Sequence, residues 1–145
     1  MDSFTTPDGY SYLVDEYGVI HQLEPSKFEY DPAYISTYDH GRYALQGHAL
    51  NSLRTSLILE MYCRIFSEMP RTVLDFGCGN GAFGKVAGAI FDRCFGFDVI
   101  DYPLPKEMKR VDSLVPADIY TFWDSLEHCP DIDFVESIEC KMVAI

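Results

Sequence analysis

The chain has 145 residues, 48% of them hydrophobic, with 23 acidic side chains against 11 basic ones and a net charge of −12. That length allows one domain with a real core, and the composition is that of a soluble globular protein. The negative field opposes nucleic-acid phosphates and acidic membrane surfaces, and no Lys/Arg cluster offsets it, so neither is an expected partner.

Residues 1–48 read as an aromatic-rich extension, holding seven of the ten tyrosines. The first ten residues have neither a basic region nor an apolar run, so no signal peptide is expected. Tyr10–Val14 and Val19–Leu23 flank Asp15-Glu16-Tyr17-Gly18, the pattern of a β-hairpin with glycine at the bend. Pro25 and Pro32 punctuate a following loop. The tyrosines either pack this hairpin on the main body or form a lid over a ligand, since a tyrosine ring has an apolar body and a polar tip.

From Ala49 to Met69, Leu50, Leu53, Leu57, Met61 and Ile65 recur at helical spacing, with Ile58, Tyr62 and Phe66 alongside, and Pro70 ends the run. The expectation is an amphipathic helix with that stripe facing the core. A buried-type strand follows at Thr72–Phe76, then a glycine-rich turn, a helix over 82–91 and a strand over 94–99. Further strands are expected at 118–123 and 141–145, with a short helix over 131–139 between them. Strand, glycine turn, helix and strand in that order imply a parallel sheet with a right-handed crossover. Cys63, Cys78, Cys94, Cys129 and Cys140 are odd in number and widely spaced, with no C-x-x-C pair and no Cys/His ligand spacing. Neither a disulfide framework nor a metal site is expected, and a reduced, cytoplasmic setting fits.

The glycine turn, VLDFGCGNGAFGKVAG from Val73 to Gly88, admits three readings. A triphosphate loop needs a Ser or Thr after its lysine to ligate Mg²⁺, and Lys85 is followed by Val86. A dinucleotide loop, G-x-G-x-x-G from Gly79 to Gly84, would start two residues after Gly77, and Asp75 would stand close to the pyrophosphate. An NAD-dependent oxidoreductase is the functional form of this second reading. The third is a ligand with a positive centre and no phosphate, such as S-adenosylmethionine. For it an acid at the strand end is attractive, and Gly77, Gly79 and Gly81 let the backbone approach. The helix N-terminus can face the ligand carboxylate. Asp98, 19 residues after Gly79, ends the next strand where it can bind two ribose hydroxyls.

Here the sequence resembles the class I S-adenosylmethionine-dependent methyltransferases of the small-molecule type: VLDFGCGNG is similar to their first motif, GFDV to their second, and DIYTFWDSLEHCPD to their fourth-strand region. The resemblance spans Arg71 to Ile145 and implies an α/β fold. In it a Rossmann-like, doubly wound, mostly parallel sheet (residues 49–145) follows the hairpin extension. It also implies roles for individual residues. Asp75, Gly77, Cys78 and Gly79 would line the methionine part, Asp98 the ribose, Val99 the adenine ring, and Asp112 or Ser113 its amino group. Trp123, Asp124 and Ser125 would face the transferable methyl, where a sulfonium suits an aromatic face. His128 is a candidate base of suitable pKa range, or simply a capping side chain in a turn. Tyr38 and Arg42 precede the helix, and Arg42 could clamp the cofactor carboxylate or form a surface salt bridge.

Between Asp98 and Asp118 the family's usual helix and third strand are compressed into YPLPKEMKRVDSLVPA. The family's sheet continues past the fifth strand, so this chain is expected to be truncated there, leaving an apolar edge that invites self-association. No Asn/Asp-Pro-Pro-aromatic tetrapeptide of the base-methylating enzymes follows the fourth strand. The expected activity is therefore methyl transfer to a small-molecule acceptor, the alternative being a non-catalytic module that binds a cofactor or partner.

Overall fold

In the computed structural model, residues 2–7, 9–23, 41–129 and 131–145 are described, without the side chains of 41–43. The elements run β1 (Asp2–Thr5), β2 (Ser11–Val14), β3 (Ile20–Gln22), α1 (Gly41–Phe66), β4 (Thr72–Phe76), α2 (Ala82–Ala87), β5 (Arg93–Phe97), β6 (Met108–Arg110), β7 (Ile119–Thr121) and β8 (Met142–Ala144). Short 3₁₀ turns at Leu126–His128 and Asp133–Ser137 separate β7 from β8.

The expected hairpin is present and gains a strand, forming an antiparallel sheet β1-β2-β3. Its bend is closed by Asp15, whose carboxylate accepts the N–H groups of Tyr17 and Val19 at 2.9 Å each, with Gly18 at φ 80°. Of the extension expected as a possible lid, residues 24–40 with Tyr30, Tyr34 and Tyr38 lie outside the described residues, as do the Arg42 and Tyr43 side chains.

The main sheet has the order β6-β5-β4-β7-β8 with every pairing parallel. This is the Rossmann-like α/β arrangement. The chain winds outward from central β4 first through β5 and β6, then restarts at β7 on the other side. Such a reversal leaves a crevice outside the carboxyl ends of the strands. β4 is buried from Thr72 to Asp75 and pairs on both sides, as its unbroken apolar run required. The lower ends of β4 and β7 are locked by Asp118. Its carboxylate accepts from the N–H groups of Arg71 (2.8 Å) and Thr72 (2.9 Å) and from the Thr72 hydroxyl (3.0 Å).

One face of the sheet is covered by α1 and α2, through Ile58, Tyr62, Phe83 and Ala87 packed on Val73, Cys94 and Ile119. The opposite face buries Leu74, Tyr120 and Phe122 beneath Leu114, Leu126, Phe134 and Ile138, which come from loops and 3₁₀ turns. Three expectations need correction. The helix begins at Gly41, eight residues before Ala49, and crosses residue 48. The helix after the glycine turn ends at Ala87, beyond which the bonds tighten to i→i−3, Ala89 N–H to Val86 and Ile90 N–H to Ala87. A third strand, β6, survives inside the compressed segment.

The largest correction concerns α1. The stripe expected in the core is the solvent side: Leu50, Leu53, Leu57, Met61 and Ile65 are 46–61% exposed. The face that packs is Asn51, Thr55, Ile58 and Tyr62, all under 9% exposed. Along this face α1 runs close to α2, and the Thr55 hydroxyl is returned to the Asn51 carbonyl at 2.8 Å. Among the described residues no helix is long and apolar enough to cross a membrane.

This assignment is directly checkable by urea unfolding. Ile58→Ala is expected to lower stability by about 2–5 kcal/mol, and Leu57→Ala to change it by about 0.5 kcal/mol or less. Equal losses would mean that both faces are packed.

Candidate functional site

At the carboxyl end of β4 the chain must turn sharply, and its sequence permits this. Gly77, Gly79 and Gly81 take φ values of 72°, 53° and 76°, a region closed to most side chains. At Gly77 space adds a second demand, since a Cβ would lie 2.4 Å from Ser125 Cβ. The Ser125 hydroxyl donates to the Phe76 carbonyl at 2.7 Å, tying the ends of β4 and β7 together.

Around this turn lies an open cleft of about 1390 Å³. It brings together Gly77, Cys78, Gly79, Gly81, Asp98, Val99, Trp123, Asp124, Ser125 and His128 from the sequence expectation. Asp112 and Ser113 do not reach it: both are exposed and neither lines the cleft. The reason is local. β6 ends at Arg110, Val111 donates to the Gly96 carbonyl at 3.0 Å, and the next residue to turn inward is Leu114, which lines the cleft in their place.

Asp75 is also displaced from its expected role. It is 3% exposed and sits behind the glycine turn, accepting the Thr121 hydroxyl at 2.7 Å. Burial pushes its carboxyl up to about 7, opposed by the Thr121 hydrogen bond and the nearby Arg54 charge. Asp98 is held differently. One oxygen accepts the Gly79 N–H at 2.8 Å, the other the Ile100 N–H at 2.9 Å, so the carboxylate lies across the glycine turn. Burial raises the Cys78 thiol to about 12, with the charges of Asp75 and Asp98 adding to the effect, so it is an inert lining group.

Trp123 was expected to offer its face to a cation, and it does, but the cation is internal. The Arg54 guanidinium stands 4.6 Å from the ring centroid and donates to Asp124 at 3.0 Å. Asp124 itself holds a left-handed φ of 53°. The buried Trp123 Nε1 has no acceptor among the described residues. His128 lines the cleft from the 3₁₀ turn after β7, its N–H bound to the Ser125 carbonyl at 3.2 Å.

His48 lines the cleft from α1. Other lining residues escaped the sequence reading. Tyr102 to Pro105 form a wall over α2, with Pro105 so close to Gly81 that a Cβ there would meet its Cδ at 2.5 Å. Phe76, Phe97 and Phe134 make an aromatic floor, Phe76 stacked on the other two at 5.0 and 5.1 Å. The positions of Phe76 and Phe97, each directly before a strand-end turn, were the available signal. Phe134 had none.

No protein-family model matches the chain, and no curated protein matches it. Solved structures similar to it include the plantazolicin methyltransferase BpumL with a monoazolic desmethylPZN analog and SAH (16% identity, 62% of this chain, 40% of that chain, TM-score 0.48). BpumL with SAH alone gives 15% identity over 62% and 40% of the two chains, with a TM-score of 0.42. BamL with a triazolic desmethylPZN analog and SAH gives 15% identity over 78% and 32%, with a TM-score of 0.34. The chain thus spans about two fifths of the length of the BpumL structures. Likeness at this level bears on neither activity nor ligand.

Asp75 yields a pH test. Its folded pKa is raised, so between about 4 and 7 the unfolded chain ionises while the folded protein keeps the proton, and stability falls as pH rises. Asp75→Asn, which mimics the protonated form, should remove this slope. Between pH 5 and pH 8 its stability relative to wild type is expected to rise by about 3 kcal/mol. A constant difference across that range would show Asp75 to be ionised throughout.

Proposed function

We propose that this chain forms the cofactor-binding part of an S-adenosylmethionine-dependent methyltransferase acting on a small-molecule acceptor. The observation that supports it best is the Asp98 carboxylate on the Gly79 N–H at 2.8 Å. A phosphate-binding loop needs those N–H groups turned toward an anion, whereas here a carboxylate already crosses the turn and Pro105 packs against Gly81. A second negative charge from a pyrophosphate is disfavoured beside Asp98. A sulfonium, an ammonium and two ribose hydroxyls are all compatible with it.

The residues present fit such a cofactor. The cleft is large enough, Gly77 lies exposed on its rim, and Trp123 Nε1 is a donor without an acceptor among the described residues. Asp98 would take the ribose hydroxyls, Val99 and Leu114 would flank the adenine, and the backbone of Gly77 to Gly79 would meet the methionine part. When bound, the cofactor supplies an electrophilic methyl group. The protein's part is to orient an acceptor in line with it and to exclude water, with Trp123, Ser125 and His128 on that side of the cleft. In this reading His128, which lines the cleft, would receive a proton from an acceptor that must lose one. The net charge of −12 argues for an acceptor other than nucleic acid.

Calorimetric titration tests the reading. Micromolar binding of S-adenosylmethionine and S-adenosylhomocysteine is expected, with none for NAD. Asp98→Ala should weaken it at least about tenfold through the loss of charge-assisted hydrogen bonds. Binding of NAD in preference to the adenosyl ligands would overturn the reading. A folded protein that binds none of them would instead be a module of another kind.

A further inference from the structure

The ten residues between β5 and β6, 98–107, form one wall of the cleft without a helix or strand of their own. They carry Asp98 and Val99, and two prolines interrupt them. The prolines stiffen its far end, but residues 98–102 have conformational freedom to lose and a shape that must be held. Arg110, the last residue of β6, holds it. Its Nη2 donates to the carbonyls of Tyr102 (2.9 Å) and Ile100 (3.2 Å), Nη1 reaches the Asp98 carbonyl at 3.4 Å, and Nε pairs with Asp101 at 3.1 Å.

This guanidinium is anchored from below as well. Arg110 pairs in register with Gly96, two residues before Asp98, so its backbone is fixed to the strand whose continuation it holds. The Asp98 carboxylate is gripped from the other side by the Gly79 N–H. A link therefore runs from β6 through the Arg110 fork to the Asp98 main chain, and from the Asp98 side chain to the glycine turn. A planar fork with five donors can serve several carbonyls at once, whereas a lysine ammonium is a compact point charge on a flexible stem. The exposed Asp101 pair matters less, since such ion pairs contribute little.

We propose that Arg110 is the positioning residue for the nucleoside half of the cleft, fixing the Asp98–Tyr102 segment before any ligand arrives. The proposal rests on the adenosyl reading for its ligand, but the pre-ordering it asserts can be measured without one. The experiment compares wild type with Arg110→Lys and Arg110→Gln in two ways. Hydrogen exchange in the free protein is expected to show the Ile100 and Tyr102 amides protected in wild type and at least tenfold less so in both variants. Amides of β4 should stay unchanged. Calorimetry with S-adenosylhomocysteine and with adenosine alone is expected to show both affinities falling by the same factor, tenfold or more. Arg110→Lys should not rescue, because it keeps the charge and loses the fork.

Exchange at Ile100 and Tyr102 that is unaltered in the variants would overturn the proposal, as would a lysine variant that binds within twofold of wild type. Should both variants unfold, wild type alone decides: unprotected Ile100 and Tyr102 amides in the free protein contradict a segment fixed in advance. Normal protection changes with no adenosyl binding by wild type would sink the ligand reading and leave the positioning role standing.

Discussion

The contact on which the site depends is the approach of Gly77 to Ser125, where even one added carbon would lie 2.4 Å from its neighbour. Because Gly77 can come so close and hold a positive φ, the chain leaves β4 and doubles over the end of β7 instead of running past it. The Ser125 hydroxyl then closes the gap onto the Phe76 carbonyl. What remains above is a crevice bounded by the glycine turn, the Asp98 segment and the Trp123-Asp124-Ser125 corner. The strand reversal that creates a crevice is a property of the topology, and the Gly77–Ser125 contact forms one corner of its lining.

Two strand-end carboxylates sit within this frame and behave differently because their surroundings differ. Asp75 is desolvated, which pushes its carboxyl up to about 7, and accepts the Thr121 hydroxyl. Asp98 is partly open to the cleft and accepts two backbone N–H groups. The first is a group of the interior; the second is available to a ligand. The sequence pattern placed both acids at strand ends and could not distinguish them, since the distinction is one of burial.

Much of the fold was legible. β4, β5, β7 and β8 stood out as short apolar runs bounded by turn residues, and the three glycines after β4 announced the turn. The core face of α1 was legible only in part: Ile58, Tyr62 and Phe66, read as flanking the stripe, do pack in the core. Leu50, Leu53, Leu57, Met61 and Ile65 recur at helical spacing but lie at the surface, while Asn51 and Thr55, unremarkable in a hydrophobicity count, take packed positions. β6 was hidden because a strand reading Met-Lys-Arg at a sheet edge has one exposed face and little apolar signal. In the site, residues on the glycine turn and strand ends were found from sequence. Those supplied by irregular segments, among them Leu114 and Phe134, were not, because only the folded path brings them to the cleft. Asp112 and Ser113 failed for the same reason in reverse: a resemblance carries residues over by position, and a shortened connection moves positions in space.

The central claim is that the crevice between the Asp98 segment and the Trp123–Ser125 corner holds an adenosyl ligand with no phosphate. Amide and indole chemical-shift mapping of the isotope-labelled protein with S-adenosylhomocysteine tests it most directly. The account predicts saturable shifts at Gly77, Gly79, Val99 and Leu114 and at the Trp123 Nε1–H, with the α2 amides of Gly84 to Ala87 left in place. Shifts confined to the start of α2, appearing with NAD and not with S-adenosylhomocysteine, would contradict it.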